Sequence, residues 1–429
     1  MRNIILPLIA LFCIFSAGKS LAQKPAQSPN DTLAASVAKL AKTVQVLDRI
    51  KISGYIQAQY QRTDTLGAKT FNGGDFTAAS AQRFQVRRGY LKVAYLGKLS
   101  TYVLQINVND KGFALRDAYF SIKEPWLKAF TLTGGIFFRP FGQELAYSAS
   151  LRESPESSRI TQVLFPNERD LGASITFQMP EKSIFHSFKI DAGLFSGNGT
   201  ASETDDKLDF IGRMGYSDAD KKHNLTYGLG VSYYNGSVYQ AKKDVYEMGD
   251  FSGVQAFRQR AADTIPGSYF KRSYIGVDAQ FSFKTVIGKT SFRGDFMRGD
   301  QPGSDKTSVS PTAAIDYSLY LRKFMGTALY LVQTLPGSMY SVVLKYDYYD
   351  PNTKLSGNDI GLKATSAKAT NGTDIAYTTW GFGWITDFDQ SLRMTIYYDL
   401  VKNETSTNLA GFSKDQKDNV FTVRFQYKF

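Results

Sequence analysis

Histidine, cysteine and serine build most hydrolytic and redox sites, and two of the three are scarce in this chain. Its 429 residues include two histidines, His186 and His223, and one cysteine, Cys13. Neither histidine lies near a serine or cysteine nucleophile motif, and both fall at expected turns or strand starts, so no triad is legible. Asn109-Asp110-Lys111-Gly112 and Asn198-Gly199-Thr200 have turn chemistry before they have metal or phosphate chemistry. Glu203, Asp205 and Asp206 read as a solvated loop tip ahead of a calcium site. The sequence predicts no enzyme, no cofactor, no metal and no nucleic-acid partner.

What the chain does carry is charge at alternate positions. Lys51, Arg88, Lys92, Lys189, Arg213, Arg272, Arg293, Lys345, Arg393, Arg424 and Lys428 fall on the polar face of strand-like segments. Asp117, Asp191, Asp209, Asp278, Asp295, Asp347 and Asp399 share that face, with Arg293 and Asp295 spaced as a same-face pair. A narrow wet passage lined in this way favours anions, because its surplus cations focus the field. The competing reading is that the charges pair across strands and stiffen a non-selective wall. Arg87 and Arg88 are adjacent, and only one of them points inward unless a bulge intervenes.

The faces follow from a period of two. Residues 419–429 put Phe421, Val423, Phe425, Tyr427 and Phe429 on one side and Thr422, Arg424, Gln426 and Lys428 on the other. A strand that is greasy outside, polar inside and ends on an aromatic residue is expected of an outer-membrane barrel, with Phe429 as its assembly signal. The 26 tyrosines and 31 phenylalanines coexist with a mean hydropathy below zero, as a half-polar sheet requires. Beyond the amino terminus, no stretch approaches the roughly 20 apolar residues of a spanning helix.

From residue 51 this pattern recurs in sixteen segments, from 51–62 and 83–96 through to 391–401 and 419–429, with 312–322 assigned to a loop. Joints such as Gly97-Lys98 and Pro336-Gly337-Ser338 are short. Those at 63–82, 139–169, 235–269, 300–322, 350–375 and 402–418 are long. Short turns on one side and long loops on the other are barrel asymmetry. The expected fold is therefore all-β, a 16-stranded antiparallel transmembrane barrel over residues 51–429. Ile52, Ile56, Leu229, Ile275, Val342 and Ile396 should face lipid.

Residues 1–22 have the build of a cleaved signal peptide: Arg2, an apolar run over 4–15, and Ser20-Leu21-Ala22 as the cleavage site. Residues 23–50 form a periplasmic linker and a short helix capped by Asp31 or Thr32. In it Leu33, Val37, Leu40, Val44 and Leu47 step by four and three. That seam reads as a short coiled coil between protomers, or as one amphipathic helix against the barrel mouth. The expected location is the outer membrane of a Gram-negative bacterium, in contact with lipid and lipopolysaccharide.

The joint at 139–169 sets Arg139, Arg152, Arg159 and Arg169 against Glu144, Glu153, Glu156 and Glu168. A long charged loop folded into a barrel acts as constriction and filter, here with a transverse field. Packed outside, the same loop would be a lid.

Gly135-Ile-Phe-Phe-Arg139-Pro140-Phe141-Gly142, Leu151-Arg152-Glu153-Ser154 and Phe165-Pro-Asn-Glu168-Arg169-Asp170-Leu171-Gly172 together resemble the core of the phosphate-selective porin O and P family. Phe84-Gln-Val-Arg87-Arg88-Gly-Tyr-Leu91, Leu115-Arg-Asp117-Ala118-Tyr119 and Tyr346-Asp-Tyr-Tyr-Asp-Pro351-Asn352 extend the likeness from about residue 50 to the end. The resemblance implies a trimeric sixteen-stranded channel with a basic lumen and the third loop as filter. It implies passive diffusion of small hydrophilic solutes, preferring anions and with phosphate among them. The alternative is a structural or adhesive barrel without specific transport. A gated active transporter would need a plug domain and more strands than this length allows.

Overall fold

A computed structural model describes residues 29–240, 244–261, 267–312 and 315–429. The expected signal peptide, residues 1–22, lies outside the described residues. The chain divides into two units, residues 1–48 and 49–429. In the first, helix α1 (Pro29–Leu47) carries the stepped apolar seam, and its five members are 47–64% exposed. The helix already runs at Pro29, so neither Asp31 nor Thr32 begins it. Proline suits a first turn, where its missing N–H has no partner to lose.

The second unit is a sheet. Its strands are β1 (Ile50–Thr63), β2 (Gln82–Leu96), β3 (Ser100–Asn109), β4 (Gly112–Lys123), β5 (Phe130–Phe138) and β6 (Arg169–Gln178). There follow β7 (Phe188–Phe195), β8 (Asp209–Asp220), β9 (Leu225–Gln240), β10 (Val245–Phe251), β11 (Val254–Gln259) and β12 (Ser268–Thr285). The last six are β13 (Gly288–Gly303), β14 (Leu319–Thr334), β15 (Tyr340–Asp350), β16 (Tyr377–Asp387), β17 (Leu392–Asn403) and β18 (Val420–Lys428).

Each wall strand pairs antiparallel with its neighbours, and β18 returns to β1 in a register running from Tyr55↔Lys428 to Thr63↔Val420. Closure leaves the wall no free edge. Strands β10 and β11 stand apart as a hairpin between β9 and β12, which pair directly with one another. The wall is thus a closed sixteen-stranded antiparallel barrel, with its short turns at one end and its long loops at the other. Among the described residues no helix is long and apolar enough to cross a membrane.

Two expectations need correction. The joint at 235–269 holds the β10–β11 hairpin, whose strands are too short to read as membrane-crossing. The segment 312–322 is not all loop, since β14 starts at Leu319. Residues 319–321 pair in parallel with 245–247, which prolongs β14 beyond the length the alternation marked.

Exposure alternates as the pattern requires. In β18, Phe421, Phe425 and Tyr427 are 36–53% exposed, whereas Thr422, Arg424 and Gln426 are 0–6% exposed. The inner face is polar yet covered, because loops from one end fold into the bore. Phe141, Leu145, Ile160, Val163, Leu164 and Phe165 from the loop after β5 pack on inward Phe195, Tyr234, Tyr274 and Phe324.

Gly135 lets β5 lie close against β4. Its φ is +125°, and a Cβ there would lie 2.2 Å from the Ala118 carbonyl oxygen. Gly135→Ala is expected to cost at least about 1–3 kcal/mol in backbone strain alone. A lower melting temperature of the heat-modifiable band should show it, and an unchanged one would count against this reading.

Candidate solute pathway

The loop between β5 and β6 organises the bore. Its centre is helix α2 (Arg159–Leu164), with Ser158 as N-cap accepting the Thr161 N–H. Ile160, Val163 and Leu164 share the buried face, a spacing of three and four. Glu144 ties the turn down: it accepts the Ser158 N–H at 2.8 Å, the Thr161 hydroxyl at 2.6 Å and the Tyr330 hydroxyl of β14 at 2.6 Å. The loop lies within the barrel, because the wall groups it bonds all point inward.

Two β-bulges supply its anchors. Between β1 and β2 the register steps from Gln57↔Arg88 to Ala58↔Val86, which leaves Arg87 as the extra residue. Both arginines therefore turn inward, as a bulge permits. Arg87 grips Glu156 with two bonds of 2.9 Å, Arg88 with two of 2.6 and 3.4 Å, and Arg424 with one of 2.9 Å. Between β3 and β4 the register steps from Gln105↔Asp117 to Ile106↔Leu115, leaving Arg116 over. Arg116 bonds Glu168 at 2.9 Å, where Arg169 at 2.5 Å and Arg152 at 3.5 Å join it. Asn167 and Glu168 both have positive φ, +65° and +64°. The guanidiniums hold that strained return in place.

Burial pushes the Glu168 carboxyl up, but Arg152, Arg169 and Arg116 outweigh it and bring it down to about 2. Burial opposes Arg87, Arg88 and Arg424 at Glu156 in the same way, and the arginines hold it well below the usual carboxylate range. A depressed carboxyl stabilises the fold above its ordinary range and loses that contribution as pH falls through the depressed value. The Glu168 latch should therefore be at full strength at neutral pH, weaken as pH falls below the ordinary carboxylate range and open near pH 2, and the Glu156 latch should likewise outlast an ordinary carboxylate as pH falls. Conductance steps recorded at graded pH read this directly, and loosening at pH 5 that Glu168→Gln abolishes would refute it.

The other expected site residues are placed as follows. Arg213 pairs with Asp278 at 2.6 Å, Lys345 with Asp347 at 3.3 Å and Arg393 with Asp387 at 2.6 Å. Arg272 pairs with Asp209 and donates to the carbonyls of Gly197 and Pro311, each at 3.1 Å. Arg139 pairs with Asp170 at 2.9 Å, and Arg169 also with Asp117 at 3.0 Å. Arg159 sits against the rings of Phe71 and Tyr377, while its N–H bonds Asp347 at 2.7 Å. Phe429 continues the β18–β1 ladder through its backbone bonds with Gly54.

Arg293 does not pair with Asp295, contrary to the same-face expectation. It bonds Glu153 at 2.9 Å, and Asp295 is occupied by the Gln143 N–H at 2.8 Å. The loop backbone has reached the acid first. The loop's four arginines and four glutamates are likewise taken up in local contacts, so the expected transverse field is largely neutralised where it arises.

Alternation turns Arg87 inward only if a bulge intervenes, passes over Arg116, and gives the loop's Glu156 no partner. The doubled arginine was a signal for the first. For Arg116 the signal was its phase: strict alternation would aim it at lipid, at a cost of roughly 2–4 kcal/mol at mid-depth. His186 and His223 lie at the short-turn end, where they bond the Ser183 carbonyl and Asp220. No cluster of three metal-ligating side chains occurs among the described residues.

Two cavities flank the inner loop. One, of about 310 Å³, lies toward the long-loop end and is lined by Phe71, Arg87, Arg88, Arg116, Glu156 and Glu168 among others. The other, of about 520 Å³, lies toward the short turns and includes Lys92, Asp117, Arg139, Arg169, Lys189 and Arg213. They share Tyr90 and Glu168. A third, of about 830 Å³, opens beside the short turns past Tyr147, Glu153 and Arg293. Arg272, Lys345, Arg393 and Arg424 point inward but line none of the three.

No family model and no curated protein matches the sequence. Solved structures do match in fold. OprB of Pseudomonas putida aligns over 91% of this chain and 97% of its own, at 12% identity and a TM-score of 0.56. The outer-membrane channel DcaP of Acinetobacter baumannii aligns over 89% and 97%, at 12% identity and 0.52. A trimer form of the Vibrio cholerae outer-membrane protein OmpT aligns over 89% and 99%, at 9% identity and 0.50. The fold is that of outer-membrane porins. At such identities the likeness is one of architecture, and this barrel's inner loop must be read from its own residues.

Proposed function

We propose that the chain is an outer-membrane diffusion porin that passes small hydrophilic solutes and favours anions. The observation behind this is the meeting of two cavities at Tyr90 and Glu168, flanked by Arg87, Arg88, Arg116, Arg169 and Lys92. Cations along a narrow wet path lower the barrier for anions and raise it for cations. The inner loop 139–169 is the constriction, and Arg88, Lys92, Arg213, Arg272, Arg293, Lys345, Arg393 and Arg424 set the potential of the wall around it. The sequence resemblance to the phosphate-selective porin O and P family supports phosphate as one of the anions admitted.

The barrel sits in the outer membrane of a Gram-negative bacterium, against lipid and lipopolysaccharide, after removal of residues 1–22. It assembles as a homotrimer, with the exposed seam of α1 joining protomers on the periplasmic side. Planar-bilayer recording tests the reading. Discrete openings with a chloride-favouring reversal potential are expected, and phosphate should reduce the chloride current. The absence of openings would leave a structural barrel, and a cation-favouring potential would end the anion claim.

A further inference from the structure

The larger cavity has a second chemistry beyond charge. Seven of its lining residues are aromatic: Tyr55, Tyr90, Tyr119, Phe137, Phe138, Phe141 and Phe429. Tyr55 and Tyr90 lie with ring centroids 5.0 Å apart, and Tyr119 meets Phe137 edge-on at 6.0 Å. A pathway for inorganic ions has no use for these faces. They suit a solute with a flat apolar body.

Its polar groups are unevenly engaged. Arg139, Arg169, Lys189 and Arg213 each have a carboxylate partner. Lys92 has none among the described residues, though it lines the cavity from β2 between Ser53 and Gln105. The Tyr55 hydroxyl, on a residue only 8% exposed, also has no hydrogen-bond partner among the described residues. A buried donor without a partner is costly, and a ligand oxygen would relieve it. Lys92 and Tyr55 thus offer a cation and a hydroxyl beside paired rings, in a cavity of about 520 Å³, within the roughly 300–1,000 Å³ of small-molecule sites.

We infer that this cavity is a subsite for aromatic carboxylates, with Lys92 and Tyr55 taking the carboxylate and the Tyr90, Tyr119 and Phe137 rings flanking the aromatic body. The inference rests on the porin reading for its role in transport, though not for the binding itself. Benzoate is the probe, with acetate and inorganic phosphate as controls. Calorimetry on the detergent-solubilised full chain should show benzoate binding more tightly than either control. In bilayers, benzoate should reduce the chloride current at concentrations where acetate does not. Lys92→Gln should weaken benzoate binding by about tenfold, the equivalent of one lost charge-assisted hydrogen bond. Tyr55→Phe keeps the ring and should weaken it by less. Equal binding of benzoate and acetate, or binding indifferent to Lys92→Gln, would overturn the subsite. Binding without any channel openings would sink the porin reading and leave the subsite standing.

Discussion

Glu156→Ala is expected to unfasten the inner loop. The residue is 3% exposed, and its carboxylate meets three guanidiniums, those of Arg87, Arg88 and Arg424. Removing one member of a buried ionic cluster leaves the rest desolvated and uncompensated, at a cost of about 3–5 kcal/mol. Much of that cost can be relieved only if water enters, and water enters by displacing the loop at Pro155, whose carbonyl Arg424 also holds. Single-channel records should therefore show larger and noisier openings, and the folded band should melt at a lower temperature. Glu156→Gln keeps an acceptor but not the charge and should fall between. Adding Arg87→Gln and Arg424→Gln to it should recover part of the loss, since fewer cations are then stranded. A Glu156→Ala barrel with unaltered conductance and melting would show that this cluster holds nothing.

The wall was legible because a membrane-crossing strand obeys one rule throughout. Lipid outside and polar groups inside impose a period of two, and closure imposes antiparallel neighbours. Residues 130–138 and 419–429 announce both. The bore obeys no such rule. Whether Arg88 faces water or a buried glutamate depends on a loop some seventy residues away, and alternation carries no information about that pairing. The bulges lie between these cases. Arg87 and Arg116 break the phase of their strands, and a charge out of phase is itself a sign that the strand slips there. The β10–β11 hairpin was hidden for a different reason. Its turn, at Ser252-Gly253, is plain, but its strands are short and rest on β14 and on Lys368 rather than on lipid. The seam of α1 was visible in full, because a heptad spacing is local.

Excising the inner loop should have the largest effect of all. Joining Pro140 to Asn167 through two glycines removes α2 and Glu144, Glu153 and Glu156, yet touches no residue of the ladder between β5 and β6. The closure of β1 on β18 is likewise independent of it. The barrel should therefore still form, with the bore emptied of the apolar cluster built on Ile160, Val163 and Phe165. Conductance should rise several-fold. Selectivity should move as well, because Arg87, Arg88, Arg424 and Arg293 lose the carboxylates that now neutralise them and become bare cations in water. Anion preference should sharpen at low salt and fade as the screening length falls from about 30 Å at 0.01 M to about 3 Å at 1 M. On the far wall Asp295 and Asp347 lose their backbone donors too, which sets a limit to that gain. Salt-dependent reversal potentials separate the two contributions. A shortened barrel that conducts no better than the full chain would mean that the inner loop does not limit passage, and that the cations fastening it serve only the stability of the fold.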